Sequence, residues 1–293
     1  MVNVNYKIQK IRQKRTIRSK RKTLKMFSKS VFFAILVLLV IFLLIIFKNG
    51  NLDEKLIFAE MKGDGSVQIR VLDPSIRQIF NINIPGETEV RVSRNYGLMM
   101  LKNVWRLSLD EGLEGKLLAE TLTRFFKFPV YFWSKEADKS NLSWGDKLKV
   151  YLFSISLGNS RNVDLDLEDL GYIKKTILVS GVSGYSVTSQ FPKRLLGVFS
   201  DKFIAKGTTV ALKDATGNSQ TANEIAEILE VLGAKVVAVD RLRRSSQDCK
   251  ISGKNRQVSK KVSLYFDCQI EEESTDSSFD LQISLGGRFA DRF

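Results

Sequence analysis

Histidine is missing from all 293 residues, which removes Ser-His-Asp and Cys-His catalysis, His-ligated zinc and imidazole acid-base chemistry. Any reaction would have to run on carboxylates, Arg, Lys or a bound metal. Cysteine is nearly missing too: Cys249 and Cys268 are the whole supply, too few for a thiolate zinc site. In an oxidising compartment the two can pair, and as free thiols they can equally stay apart; the sequence leaves both open. Val262, Leu264 and Phe266 alternate at period two and predict a strand ending at Cys268 with that thiol facing the core, while Cys249 falls in a polar loop. No stretch is Pro-rich, Gln-rich or repetitive, so low-complexity and array architectures are out.

Acidic residues are absent from the first 29 positions, whereas eleven Lys or Arg occur there, from Lys7 to Lys29. Seventeen consecutive apolar residues follow, Val31 to Phe47. At about 1.5 Å of rise per residue such a helix covers most of a hydrocarbon core of about 30 Å, with Phe27 and the snorkelling Lys29 and Lys48 completing it. The expectation is a basic cytoplasmic tail over 1–29, a single transmembrane helix over 30–48 in contact with membrane lipid, and everything after it outside the cell membrane. KNGNLDEKLIFAEMKG has no small-x-small cleavage pattern, so the segment reads as a retained signal-anchor. Of the formal net charge of +14 the tail supplies eleven, leaving +3 for the remainder. The basic balance therefore belongs to topology, and no nucleic acid partner is expected.

Beyond the anchor the patterns alternate between strand and helix, giving an α/β fold. Thr208 onward, TTVALKD reads as a buried strand. The turn ATGNS leads into a helix with Ala222, Ile225, Ala226, Leu229 and Leu232 on one face, Asn218 or Ser219 as N-cap and Gly233 as the stop. KVVAVD then predicts a second strand, parallel to the first, and FDLQISL a later one with Phe279, Leu281, Ile283 and Leu285 on one face. Upstream, LIFAEM, VQIRVL, QIFNINI and VYFW read as strands. Leu113–Phe126 and Lys147–Leu157 read as helices, the second opened by a Ser143/Asp146 capping box. VSGVSGYSVTS, rich in Ser and Gly, reads as the softest connection.

The run VALKDATG, TANEIAEIL, LGAKVV and LQISLGGRF resembles the C-terminal domain of LytR-type envelope proteins, over roughly residues 207–289. Asp214 stands near the usual Asn of the turn, and Thr221 replaces the Gly often found before the helix's Ala. Upstream, VLDPSIRQIFNINIPGET and GKLLAETLTRFFKFPVYFW resemble a shortened LytR-CpsA-Psr domain. Ile84, Pro85 and Thr88 match its Ile-Pro-Arg-Asp-Thr segment, but Gly86 and Glu87 stand in place of Arg and Asp, and the charged insert is reduced to KGDGS with only Asp64 as a possible ligand. The resemblance implies a degenerate LytR-CpsA-Psr-like domain over 51–178, a linker over 179–206 and the LytR-type domain over 207–293.

Active members transfer a glycopolymer from a polyprenyl pyrophosphate to the cell wall, which needs Arg against phosphate and carboxylates around a divalent metal. With Gly86 and Glu87 in those places no catalytic set, metal site or cofactor is assigned. Arg70, Arg77, Arg91, Arg94 and Arg106 remain as substitutes for the lost charge, or as surface residues paired with Glu87 and Glu89. The candidate ligand-binding residues are Thr216 and Gly217, whose turn precedes a helix N-terminus, with Arg91 and Arg94. The aromatic group Phe125, Phe126, Phe128, Tyr131, Phe132, Trp133 and Trp144 could line a slot for a lipid tail or build a core. The expected function is a non-catalytic envelope-binding module whose partners are cell-wall polymer or envelope proteins. Two alternatives stay open: an active phosphotransferase using Mg, and a division or secretion scaffold.

Overall fold

Strand alternation sets the first half of the molecule. In the computed structural model, which describes residues 54–135, 139–158, 161–188, 190–271 and 278–293 together with positions 33, 36 and 37, LIFAEM forms β1 (Leu56–Met61), VQIRVLD β2 (Val67–Asp73) and QIFNINI β3 (Gln78–Ile84). They pair antiparallel in sequence order. β6 (Phe132–Lys135) adds parallel to β1, β7 (Lys139–Ser140) antiparallel to β6, and β8 (Asn162–Asp166) parallel to β3, giving the six-stranded order β7-β6-β1-β2-β3-β8. Ile57, Ala59, Met61, Val67, Ile69 and Val71 occupy one face and are buried in the larger core. On the other face Leu56, Phe58, Leu72 and Ile79 meet Phe153 and Leu157 of α3 (Trp144–Leu157).

The larger core also takes α1 (Leu101–Asp110) and α2 (Lys116–Phe125). α1 follows the hairpin of β4 (Glu89–Val92) and β5 (Gly97–Met100) and carries Arg106. Phe126 and Phe128 stack, Phe128 stacks on Phe199 with centroids 4.7 Å apart, and Tyr172 and Phe191 close the cluster. Burying each such ring is worth about 1.5–3 kcal/mol.

The expected linker is structured. Ser and Gly at 180–184 read as soft, but β9 (Ile173–Ile177) and β10 (Ser183–Val187) form an antiparallel hairpin whose turn places Gly181 at φ +78°. α4 (Lys193–Phe199) then buries Leu195, Val198 and Phe199 in the larger core. Residues 179–206 are thus part of the packed body, and Leu52–Phe293 forms one compact unit.

The strand-helix-strand expectation appears as β11 (Thr209–Ala215), α5 (Ser219–Val231) and β12 (Lys235–Arg241), with β11 and β12 parallel. Asn218 is the N-cap, its side chain accepting from the Gln220 amide, and Gly233 follows the helix at φ +93°. β13 (Cys249–Gly253), β14 (Gln269–Ile270) and β15 (Leu281–Gly286) complete the order β12-β11-β15-β13-β14, and α7 (Gly287–Arg292) ends the chain. The strand predicted before Cys268 is instead a helix, α6 (Arg256–Phe266). Val258, Val262 and Phe266 recur every four residues and are buried, Asn255 caps the start, Asp267 ends it at φ 52°, and Leu264 points out. Cys249 is buried at the head of a strand rather than lying in a polar loop, and it is disulfide-bonded to Cys268. Phe279 precedes β15, whose inward face is Leu281, Ile283 and Leu285.

The transmembrane expectation for 30–48 and the basic tail of 1–29 lie outside the described residues, except that Phe33, Leu36 and Val37 are helical and exposed. Among the described residues no helix is long and apolar enough to cross a membrane.

Candidate functional site

Two adjoining cavities form a cleft where α2 and β6 face α6 and α7. One, of about 400 Å³, is lined by Lys116, Glu120, Tyr131, Trp133, Asp267 and Arg292 among others. The second, of about 320 Å³, takes Glu54, Lys55, Asp146, Lys149 and Lys261, and the two share Tyr131, Leu264 and Tyr265. Trp133 reaches its place because residue 115 is Gly: a Cβ there would come within 2.2 Å of the indole. Asn141 holds the strand beneath, accepting from the Trp133 amide at 2.7 Å and donating to the Tyr131 carbonyl at 3.0 Å.

Four cations of the cleft, Lys55, Lys116, Lys261 and Arg292, are matched by carboxylates. Lys116 reaches Asp267 at 2.8 Å and Arg292 reaches Asp248 at 2.9 Å. Lys261 sits between Asp201 at 2.5 Å and Glu54 at 3.1 Å, and Lys55 donates to Asp73 at 2.8 Å and to the carbonyls of Val198 and Ser200. The Lys116 hydrogen bond holds the Asp267 carboxyl below its ordinary range. Burial, reinforced by Asp201 and Glu54, pushes the Tyr265 phenol up, so that it stays neutral at ordinary pH. A neutral phenol, aromatic faces and paired rim charges suit holding a polar chain rather than attacking one. Sequence reasoning missed this cleft because Lys116 and Asp267 are 151 residues apart and no local pattern announces their meeting.

The structure places the sequence candidates on separate elements. Thr216 is buried in the β11–α5 turn, its amide and hydroxyl both donating to the Asp214 carboxylate, at 3.0 and 2.6 Å, and its hydroxyl accepting from the Asn218 amide. Gly217 takes φ +76° beneath Arg244. An anion at this turn would have to displace the Asp214 contacts. Arg91 is exposed on β4. Arg94, just beyond it at φ 62°, forms a two-pronged pair with Glu120 at 2.7 and 2.8 Å, which raises its pKa further. Asp64 accepts from the Ser66 amide and hydroxyl in its own turn. Among the described residues no group of three or more Cys, Asp or Glu is arranged to hold a metal. The aromatic group divides: Phe126 and Phe128 are core, Tyr131 and Trp133 line the cleft, and Trp144 is on the surface.

Gly86 carries the clearest geometric signal. A Cβ at this position would lie 2.6 Å from the Gly65 carbonyl oxygen and 2.9 Å from its carbon. The surrounding turn is tied down: Thr88 donates to the Pro85 carbonyl through both its amide and its hydroxyl, and the first amides of α1, at Leu101 and Lys102, donate to Thr88 and Gly86. Those helix amides are therefore spent on the chain itself. Glu87 pairs with Lys102 at 3.4 Å.

The sequence matches no family model and no curated protein. Among solved structures, a transcriptional regulator from Enterococcus faecalis overlays 64% of this chain and 91% of its own at 8% identity and a TM-score of 0.38. TagV of B. subtilis matches weakly, covering 74% of this chain and 99% of its own at 9% identity and 0.25, as does B. subtilis TagT, 73% and 91% at 8% and 0.23. Overlays this loose leave the function to be argued from the chain itself.

Proposed function

We propose that this chain is a LytR-CpsA-Psr-like envelope protein, anchored by Val31–Phe47 with its N-terminus in the cytoplasm, that binds cell-wall polymer or envelope proteins without catalysing transfer. The observation that carries this reading is Gly86. The position that resembles the family's phosphate-neutralising Arg is closed to any side chain by the Gly65 backbone. Arg94, one of the candidate replacements, is committed to Glu120. Without a guanidinium at position 86 the negative charge developing in phosphoryl transfer would lack the stabiliser that the resemblance places there. The cleft around Tyr131, Trp133 and Tyr265 is the proposed seat of the polymer, its aromatic faces stacking on sugar rings and its rim of ion pairs supplying hydrogen bonds.

The test uses the full chain in detergent with a polyprenyl pyrophosphate glycolipid, with and without magnesium, and with isolated wall material. Retention on wall material without release of pyrophosphate-linked lipid is expected. Saturable magnesium-dependent binding of the glycolipid with turnover would overturn the reading and make the protein a transferase with relocated residues.

A further inference from the structure

α3 is apolar on both sides. Its inner face, Phe153 and Leu157, is buried against the sheet, yet Trp144, Leu148, Tyr151 and Ile155 recur at steps of four, three and four along the opposite side. Trp144 is 73% exposed, and Tyr151 and Ile155 are each 61% exposed. A helix on the surface of a globular body ordinarily turns a polar face outward, so this stripe is unpartnered within the described residues.

We infer that the outer face of α3 lies in the headgroup layer of the bilayer that holds this chain's own apolar run. The inference rests on the anchored reading above. Three features favour a membrane as the occupant. The covalent tether is short: six residues, 48–53, separate the apolar run from Glu54, a reach of at most about 20 Å when fully extended. The tether enters the body beside α3, since Glu54 and Lys55 line the same cavity as Asp146 and Lys149 in its first two turns. The stripe itself has the composition of an interfacial belt, with Trp and Tyr, whose rings carry a polar atom on an apolar body, beside aliphatic residues and the exposed Lys147. A body held this close to a bilayer by its β1 end presents α3 to the headgroups and shields an aromatic face that would otherwise stand in water.

The chain contains three tryptophans, and Trp105 and Trp133 are buried, so Trp144 is the natural reporter. The full chain is reconstituted into phosphatidylcholine–phosphatidylglycerol vesicles, with and without phosphatidylcholine brominated near the headgroup end of its acyl chains. Flotation on a density gradient is measured alongside fluorescence. Bromine should lower tryptophan emission by up to about one third, the share of one tryptophan in three, and Trp144→Phe should abolish the bromine effect while flotation is unchanged. A Tyr151→Glu/Ile155→Glu double variant should also float and show a smaller bromine effect. Flotation without any bromine effect, or an effect that persists in Trp144→Phe, overturns the inference and leaves the anchor standing. Loss of flotation in the unmodified chain overturns the anchor reading and this inference together. Should Trp144 emission respond to the protein-to-lipid ratio and not to bromine, the stripe is a contact between copies of this chain and the inference fails.

Discussion

Removing the Cys249–Cys268 disulfide should lower the stability of the folded unit by a calculable amount. The bridge joins the head of β13 to Cys268, which follows the Asp267 cap of α6, across 19 positions of sequence. In the chain-entropy treatment, a loop of that length restricts the unfolded state by about 3 kcal/mol. For a unit the size of Leu52–Phe293, that corresponds to a fall in Tm of about 6–12 °C. Native contacts outside the bridge should survive, because Arg292 independently holds the end of α6 through the carbonyls of Phe266 and Asp267, at 3.1 and 2.8 Å. The assay is thermal unfolding of the full chain, oxidised and reduced, beside a Cys249→Ala/Cys268→Ala variant. Reduction and double substitution should agree to within the small packing loss of the two sulfurs. A reduced protein that melts within a degree of the oxidised one would refute the reasoning, since the bridge would then restrict nothing in the unfolded state.

Gly86→Ala forces a methyl to within 2.6 Å of the Gly65 carbonyl oxygen and should cost about 1–3 kcal/mol in denaturant unfolding, the usual penalty of overpacking; an unchanged midpoint would show that the turn can yield. Arg124 and Glu224 pair at 2.8 Å with both side chains largely buried, so Arg124→Ala should cost about 3–5 kcal/mol, while Arg124→Met with Glu224→Leu should recover most of it in a double-mutant cycle. Asp73 is pushed up by burial but pulled further down by hydrogen bonds from Lys55 and Ser75, leaving its carboxyl below the ordinary 3.8. Its contribution is therefore complete above about pH 4 and is lost as pH falls through the lowered folded value, so Asp73→Asn should flatten the acid limb of the stability curve below pH 4 while leaving its shape near neutrality unchanged.

Where a local pattern was sufficient, the sequence was readable. β1, β2 and β3 are legible as short apolar runs between turns, covered on one face by the larger core and on the other partly by α3, and α5 shows its Asn218 cap, apolar stripe and Gly233 stop in order. α6 was misread because Val262, Leu264 and Phe266 fit period two as well as they fit a helix, and the deciding residues, Asn255 and Val258, lie further upstream. The stretch 179–189 was misread because Ser and Gly signal softness only when nothing pairs with them, and β10 pairs with β9 along its length. The cleft was invisible for a different reason: the approach of α2 to the α6 end is written in two sites, Lys116 and Asp267, that share no local context. Arg94 stands out in the sequence only as a candidate ligand-binding residue, and its pairing with Glu120, 26 residues away on another element, has no local signature.

The first residues of the packed body are fastened in two directions. Lys55 is held by Asp73 of β2 and by the carbonyls of Val198 and Ser200 at the C-terminal end of α4, and Glu54 reaches Lys261 on α6. β1, which follows at once, is an inner strand flanked by β2 and β6. Tension drawn along the chain from residue 53 therefore meets a clamp before it meets the sheet, and it must shear β1 against two neighbours at once rather than unzip an edge. Because Glu54, Lys55 and Lys261 also line the second cavity, a load applied at this entry point would reach the cleft as directly as it reaches β1.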